Sequence, residues 1–330
     1  MSKNLIEEVK KDFSGEQKNF VVLNFLNSLS KSKVLVSKKT GTVFHNDIVR
    51  SDINLKDWNK IFSKKVDPEK KLYTSNNPIM NSRHYYGVKF LENFLNYNMI
   101  SLSKKLTICD FGSGEGNFPI LLKKNFKKLN IFLSEYSKSN IELIKKKIKS
   151  EKIHINKLFN CSIEDFEDVN NFETIDIATL NWTLCNCSNP INVLKSIYNS
   201  LKTCKKNIGR KINGEEGGVK SGYLMIAESS RILVPFKKPI NNYFNSKAKS
   251  SYHPWHFSFN SLNNLLEISN FRIVHRNRYF DENDMFVIAK KMDNKNHKPR
   301  LVFDNYSDIV FFFKKWKKES LFFNKFLKKV

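Results

Sequence analysis

The feature that most constrains how this chain folds is a glycine-rich turn directly after a short apolar run. The run, Leu106 to Phe111, contains Asp110 near its end, and glycines follow at positions 112, 114 and 116 before an apolar segment that starts at Phe118. Glycine lets a ligand approach the backbone where any Cβ would collide. The start of a helix points unpaired N–H groups at that ligand. The stretch therefore predicts a strand, a turn and a helix around a nucleotide-like cofactor.

The next apolar run also ends in an acidic residue. It reads Ile131-Phe132-Leu133-Ser134-Glu135 and places Glu135 about twenty residues beyond the glycines. A carboxylate in that position can accept hydrogen bonds from both hydroxyls of a ribose. The glycines are spaced G-x-G-x-G, whereas the dinucleotide fingerprint is G-x-G-x-x-G. The spacing therefore points away from a dinucleotide.

These landmarks resemble motif I and the following acid of class I S-adenosylmethionine (SAM) dependent methyltransferases. The resemblance implies that SAM is the cofactor, that the glycine loop wraps its methionine part, that Asp110 holds its ammonium and that Glu135 holds its ribose. It also implies that the loop after residue 159 grips the adenine; where the family usually has Asp, this chain has Ser162. The expected cofactor-binding residues are Asp110, Gly112, Ser113, Gly114, Gly116, Glu135, Ser162, Ile163 and Asn181.

Strand-like and helix-like segments alternate from residue 105 to residue 290, which predicts a parallel sheet with helices on both faces. The last two strands, 271–277 and 283–290, have a short connection and must be antiparallel. We therefore predict the α/β fold class: a Rossmann-like class I methyltransferase sheet, mostly parallel with a C-terminal antiparallel hairpin, plus a helical N-terminal region and a C-terminal helix. The predicted division is an N-terminal helical and hairpin cap region (1–80), the SAM-dependent methyltransferase domain (81–292) and a basic amphipathic C-terminal helix (293–330).

Outside the central alternation, apolar residues recur at helical spacing in residues 1–33, with a break near Ser14-Gly15. Two short apolar runs around residues 38–41 predict a hairpin. A short helix is predicted from Asn54 to Phe62. Arg83 leads into an aromatic helix. Arg83, Tyr85 or Tyr86 is expected to touch the SAM carboxylate or the substrate; the alternative is that the helix simply packs on the sheet.

The candidate catalytic segment is residues 251–258, Ser-Tyr-His-Pro-Trp-His-Phe-Ser. It resembles a His-x-x-His-Phe-Ser segment of sugar-related and similar small-molecule methyltransferases. A hydroxyl or acidic-carbon acceptor needs a base, and histidine suits that role near neutral pH. We predict His256 or His253 as the base, oriented by Tyr252; the alternative is that His256 caps the following helix or fills a sheet edge. Family members often read Leu-Glu-His before the helix at residue 190, but Leu184-Cys185-Asn186 lacks the histidine, so no base is predicted there.

The net charge of +25 suggests a nucleic-acid partner, but the kind of basic residue argues against one. Only eight of the 57 basic residues are arginine, the residue suited to bidentate phosphate recognition, and the lysines are scattered along the chain. We therefore expect no specific nucleic-acid partner. The five cysteines form no C-x-x-C framework, which favours a reduced, cytoplasmic protein without a metal. No run of 18 apolar residues is present.

The expected function is SAM-dependent methyl transfer to a small polar acceptor, with a sugar or glycan precursor favoured and O- or C-methylation both open. The alternatives are an RNA or other nucleic-acid methyltransferase and a non-catalytic SAM-binding subunit. The C-terminal segment, with Phe312, Phe313, Trp316 and Phe323 at helical spacing between lysines, predicts a helix. That helix is expected to contact a membrane surface peripherally, to form a homodimer, or to dock on its own domain.

Overall fold

The computed structural model describes residues 3–14, 19–29, 32–46, 83–100, 106–169, 175–203, 221–229, 232–233, 240, 253–278 and 284–322. Its strands are β1 (Phe20–Val22), β2 (Val34–Ser37), β3 (Val43–His45), β4 (Thr107–Phe111), β5 (Asn130–Ser134), β6 (Lys157–Phe159), β7 (Ile177–Asn181), β8 (Tyr223–Glu228), β9 (Trp255–His256), β10 (Phe271–Arg276) and β11 (Met285–Lys291). Its α-helices are α1 (Lys3–Ser14), α2 (Arg83–Tyr97), α3 (Asn117–Asn125), α4 (Lys138–Ser150), α5 (Phe166–Val169), α6 (Pro190–Ser200), α7 (Phe259–Ile268) and α8 (Tyr306–Phe322).

Seven of these strands form one sheet in the order β10-β11-β8-β7-β4-β5-β6. The neighbouring strands from β8 to β6 are parallel, whereas β11 is antiparallel to both β8 and β10. The predicted parallel sheet with an antiparallel C-terminal hairpin is therefore confirmed. Strand β6, at the edge of the sheet, has only three residues.

The central strands are buried because helices cover both faces of the sheet. Every residue of β4 is buried, and so are four of the five residues of β7, from Ile177 to Leu180. Continuous apolar strands of this kind are characteristic of parallel sheets covered on both faces. One face packs on α2 and α3, and the other on α6 and α7.

The N-terminal prediction is only partly correct. Helix α1 ends at Ser14, but residues 20–22 form a strand that pairs antiparallel with β2. Phe20-Val21-Val22 is an aromatic and β-branched run that suits a strand, and pairing with β2 outweighs the helical spacing on which the prediction relied. The predicted hairpin is confirmed as β2 and β3, and the predicted helix 54–62 lies outside the described residues.

A second sheet has the order β1-β2-β3-β9. Its last strand, Trp255–His256, pairs with Val43 and Phe44 of β3. Leu35 and Phe44 pack in the same apolar cluster as the core of the large sheet, whereas Val34 and Val36 pack with α8. The small sheet is thus an internal layer between the large sheet's domain and α8.

Helix α8 docks on its own chain through Ile309, Phe313 and Trp316, all of which are completely buried. Two of its aromatic residues, Phe311 and Phe322, remain exposed. Phe323 lies outside the described residues. Within the described part of the chain, none of the helices combines the length and the hydropathy needed to cross a bilayer.

Candidate functional site

The strand order creates a crevice between β4 and β7. The chain moves outward from β4 to β5 and β6 and then returns to β7 on the other side of β4. In open α/β sheets, ligands bind outside the carboxyl ends of the strands at such a reversal. Both Asp110 near the end of β4 and Asn181 at the end of β7 lie at this point.

Asp110 is held by side chains from β7. The Thr179 hydroxyl donates to Asp110 Oδ1 at 2.5 Å, and Asn181 Nδ2 donates to the same oxygen at 3.2 Å. Burial raises the pKa of Asp110 to about 7, although these hydrogen bonds oppose the shift. Asn181 Oδ1 is buried and accepts no hydrogen bond. The pair therefore offers an ammonium group both a carboxylate and an unsatisfied amide oxygen.

The three glycines of the turn differ in what a side chain at each position would meet. Gly112 and Gly114 have φ of +64° and +56°, a region that side chains disfavour. A Cβ on Gly112 would lie 2.6 Å from Thr183 Cγ2, and one on Gly116 would lie 2.9 Å from Ile144 Cγ1. A Cβ on Gly114 would meet nothing within 4 Å. Gly112 and Gly116 therefore permit packing, whereas Gly114 borders open space that a ligand can fill.

Glu135 is fixed against the same turn. Gly114 N donates to Glu135 Oε2 at 2.7 Å, and Ser137 N donates to Oε1 at 2.7 Å. Burial raises the pKa of Glu135. Each carboxylate oxygen has a second lone pair, so the group retains acceptor capacity for hydroxyls. The structure thus brings together the two landmarks that the sequence singled out, while Ser113 closes the turn by donating from its Oγ to Asp110 O at 2.8 Å.

In the loop that is expected to bind adenine, the side chains of Ser162 and Ile163 both make contacts within the protein. Ser162 Oγ donates to Asp165 Oδ2 at 2.8 Å and accepts from Asp165 N at 3.2 Å, so it stabilises its own turn. Ile163 is buried in the main apolar cluster. Asn160 Nδ2 donates to the backbone oxygens of Glu135 and Tyr136 and ties this loop to the end of β5. Contacts of Ser162 and Ile163 with adenine stay a prediction.

Trp182 follows β7 at the carboxyl edge of the sheet, and both its backbone and its ring are held by contacts. Its φ is +52°, and its N donates to Ala227 O at 2.7 Å. Its indole Nε1 donates to Asp284 Oδ1 at 3.0 Å, and the Arg83 guanidinium lies 4.0 Å from its ring centroid. The first residue of α2 is thus at the rim of the crevice, and its contact with cofactor or substrate stays a prediction.

The structure separates the two candidate catalytic histidines. His253 lies against the loop that follows β7: its Nδ1 is 2.6 Å from Asn186 Oδ1 and 3.4 Å from Cys185 Sγ. His256 is buried in β9, with its Nε2 2.8 Å from His45 Nε2. Burial lowers the pKa of His256 well below its ordinary value.

This location argues against His256 as the base, because the small sheet surrounds it and protonating it there is unfavourable. The alternative weighed for His256, that it fills a sheet edge, fits its place in the last strand of the small sheet. Tyr252 lies outside the described residues.

Sequence reasoning assigned no role to Glu228, the last residue of β8. It is buried, and Cys185 N donates to its Oε1 at 3.1 Å. Burial raises the pKa of Glu228 to about 7. The available signal was an acid that ends the otherwise apolar strand Leu-Met-Ile-Ala-Glu.

The loop after β7 contains two free cysteines, Cys185 and Cys187. Burial raises the pKa of Cys185 and that of Cys187 well above the ordinary value. Among the described residues, no group of three or more His, Cys, Asp or Glu side chains is placed to hold a metal ion.

A family model covers the part of the chain that contains the glycine turn and Glu135. Residues 82–207 match the family model described as a methyltransferase domain. No curated protein matches the sequence. The similar solved structures include a SAM-dependent methyltransferase from Aquifex aeolicus, at 14% identity and a TM-score of 0.44, covering 69% of this chain and 100% of that one.

They also include the magnesium protoporphyrin IX methyltransferase of Synechocystis with bound SAH, at 11% identity and a TM-score of 0.46, covering 72% of this chain and 94% of that one. A third is a SAM-dependent methyltransferase of Leishmania major, at 16% identity and a TM-score of 0.46, covering 73% of this chain and 82% of that one.

The matched residues contain the glycine turn, Glu135 and the end of β7. Beyond them the chain completes the same sheet with β8 and the antiparallel hairpin of β10 and β11, the arrangement predicted from the resemblance to class I methyltransferases. The residues present fit SAM: Gly114 borders open space, and the unsatisfied Asn181 oxygen lies beside the Asp110 carboxyl. Residues 82–207 thus form a methyltransferase domain, and the chain is an enzyme that uses S-adenosyl-L-methionine.

Proposed function

We propose that the enzyme methylates a small polar acceptor, with a sugar or glycan precursor the favoured class, and that His253 is its general base. The observation that carries the proposal is the contact of His253 with the loop after β7. The same loop touches the glycine turn, because Thr183 Oγ1 donates to Gly112 O at 3.4 Å. The likeness of residues 251–258 to the segment of sugar-related methyltransferases supports the acceptor class.

When bound, SAM supplies a methyl group already activated on a sulfonium sulfur. Asp110, Asn181 and Glu135 would hold it, and the turn around Gly114 would align it, which is the main catalytic need of an in-line transfer. His253 would take the proton of the acceptor oxygen or carbon, which leaves that atom the electron pair that methyl transfer needs; SAM would supply the methyl group and keep the electron pair of its C–S bond. Proton removal by a placed base contributes roughly 10²–10⁴-fold.

Nucleic acid is the rival acceptor, favoured by net charge. The basic residues of the connections before β5 and β6, such as Lys127, Lys128 and Lys152, lie at the amino-terminal edge of the sheet, opposite the crevice. Their position supports a small acceptor over a polyanion that spans the site. The methyltransferase domain favours catalysis over the alternative of a non-catalytic subunit.

The test uses SAM with a radiolabelled methyl group, a panel of nucleotide sugars and sugar phosphates, and purified RNA and DNA in parallel. We expect label in the small-molecule pool and none in nucleic acid. Label in RNA or DNA, or in neither pool, would overturn the acceptor class.

The base is tested separately with His253→Ala. We expect turnover to fall at least a hundredfold while SAM affinity stays within about twofold, because the imidazole takes the acceptor's proton and does not bind the cofactor. The control is His154→Ala, an exposed histidine before β6, which should leave both unchanged. Full turnover in His253→Ala would contradict the role.

A further inference from the structure

The side chain of Asn186 lies between the loop after β7 and the imidazole of His253. We infer that Asn186 is a positioning residue for the base: it holds His253 as the neutral imidazole with its proton on Nδ1, so that Nε2 is the nitrogen that takes the acceptor's proton. The role of Nε2 rests on the proposed function, whereas the tautomer can be measured without turnover.

The orientation of the Asn186 amide is fixed by a backbone carbonyl. Asn186 Nδ2 donates to Trp182 O at 2.9 Å. A flipped amide would set its oxygen against that carbonyl, and two acceptors would face each other without a proton. Trp182 itself is tied to β8 by the bond from its N to Ala227 O, so its carbonyl cannot easily turn away. Asn186 Oδ1 therefore faces His253.

The orientation of the amide decides the tautomer. Asn186 Oδ1 is 2.6 Å from His253 Nδ1, and an amide oxygen only accepts. Nδ1 must therefore carry the proton, because the other tautomer would oppose two lone pairs at that distance. A neutral imidazole has one N–H, so the lone pair needed by a base is on Nε2.

Cys185 supports the same arrangement. Its Sγ is 3.7 Å from Asn186 Oδ1 and 3.4 Å from His253 Nδ1. Burial raises the pKa of this thiol well above its ordinary value, so sulfur keeps its proton and donates weakly to Asn186 Oδ1. Two donors thus converge on one amide oxygen.

The titratable groups that face His253 are Glu228, His45 and His256. The Glu228 carboxyl accepts from Cys185 N, and burial raises its pKa to about 7. His45 and His256 face this region from the small sheet, and burial lowers the pKa of His45 to about 3 and that of His256 well below its ordinary value. Neither histidine carries charge at neutral pH.

The tautomer is measured by NMR of protein labelled with ¹⁵N-histidine, with the His253 signals identified from their loss in His253→Gln. We expect a protonated Nδ1 and an unprotonated Nε2 in the wild type. In Asn186→Ala the proton should redistribute to Nε2, and kcat for SAH release, measured with the acceptor pool that takes label, should fall at least tenfold with SAM affinity unchanged.

A matched control is Asn125→Ala. Asn125 Nδ2 also donates to the carbonyl four residues earlier, at 2.8 Å, but it lies at the end of α3, on the opposite edge of the sheet. This substitution should change neither the tautomer nor kcat. Asn186→Asp keeps an acceptor toward Nδ1, so it should retain the Nδ1 proton and shift the acidic limb of the kcat profile to higher pH, because a carboxylate raises the pKa of a neighbouring histidine.

The results separate the inference from the proposed function. A wild-type His253 protonated on Nε2, or an Asn186→Ala protein that keeps the wild-type tautomer, overturns the positioning role. A His253→Gln protein that keeps its activity overturns the role of His253 as the base but leaves the tautomer assignment intact. If Asn186→Ala does not fold, Asn186→Asp carries the test, and a neutral His253 in that variant with its proton on Nε2 instead of Nδ1 overturns the inference.

Discussion

Alanine at Gly112 and at Gly114 should produce opposite patterns of stability and cofactor binding. The two glycines have similar positive φ, +64° and +56°, so alanine at either position carries the left-handed penalty of about 1–2 kcal/mol. They differ in what a Cβ would meet: Thr183 Cγ2 at 2.6 Å from Gly112, and nothing within 4 Å of Gly114.

The magnitudes follow from this difference. In Gly112→Ala, the Thr183 side chain must move, and it is β-branched and stiff. Overpacking of this kind adds about 1–3 kcal/mol, for a total loss of about 2–5 kcal/mol in the free energy of unfolding. Gly114→Ala should lose only about 1–2 kcal/mol. Its methyl group, however, enters the space assigned to the cofactor.

The loss of cofactor affinity should therefore be larger in Gly114→Ala, although the loss of stability is larger in Gly112→Ala. We expect the Kd for SAH to rise at least tenfold in Gly114→Ala, about 1.4 kcal/mol, and to rise less in Gly112→Ala. Urea unfolding of the free protein and calorimetric titration with SAH measure the two quantities. A Gly114→Ala protein that binds SAH as tightly as the wild type would refute the assignment of that space.

Three further predictions follow from buried groups. Burial raises the pKa of Asp110 to about 7, and an ammonium partner favours its charged form, so SAM affinity should fall as pH drops below 7. Calorimetric titration at several pH values should show this fall in the wild type and no such fall in Asp110→Asn. Burial raises the pKa of Asp12 from 3.8 to about 6; the folded state then holds the proton more tightly than the unfolded state, so this carboxyl lowers stability by about 3 kcal/mol as pH rises from 4 to above 6. Urea unfolding should thus find Asp12→Asn more stable than the wild type at pH 8 and nearly equal at pH 4, and an unchanged difference would contradict the shift. Trp316→Ala should lose about 3–5 kcal/mol because the ring is fully buried, whereas Phe311→Ala, 67% exposed on the same helix, should stay within about 0.5 kcal/mol; equal losses would mean that α8 does not dock as described.

The large sheet was predictable because its signals are local. Each central strand is a short apolar run bounded by turn residues, and the short link between β10 and β11 requires an antiparallel pair. The position of Asp110 and Glu135 follows from the same logic, since the carboxyl ends of parallel strands share one edge. The glycine spacing and Glu135 together then carried the family resemblance from which the cofactor was proposed.

The small sheet was not predictable, because its strands come from distant parts of the chain. Trp255–His256 is only two residues long, and its partner β3 lies more than 200 residues earlier. Nothing in the local pattern of residues 251–258 distinguishes a strand from a loop. His256 was therefore weighed equally with His253, although the β3 pairing buries one and leaves the other beside Asn186.

The link between Asn186 and His253 escaped prediction for a related reason. The missing histidine at residue 186 indicated only that no base lies there. That Asn186 instead orients a histidine from another loop depends on how residues 253–256 are held by the small sheet, which is a tertiary contact.

The most direct test of the account is a crystal structure of the enzyme with SAH. We expect the ribose hydroxyls on the Glu135 carboxylate, the nucleoside against Gly114, and the sulfur facing the side of the crevice where His253 presents Nε2. SAH bound away from the glycine turn, or with its sulfur on the far side of the β7 loop from His253, would contradict the account.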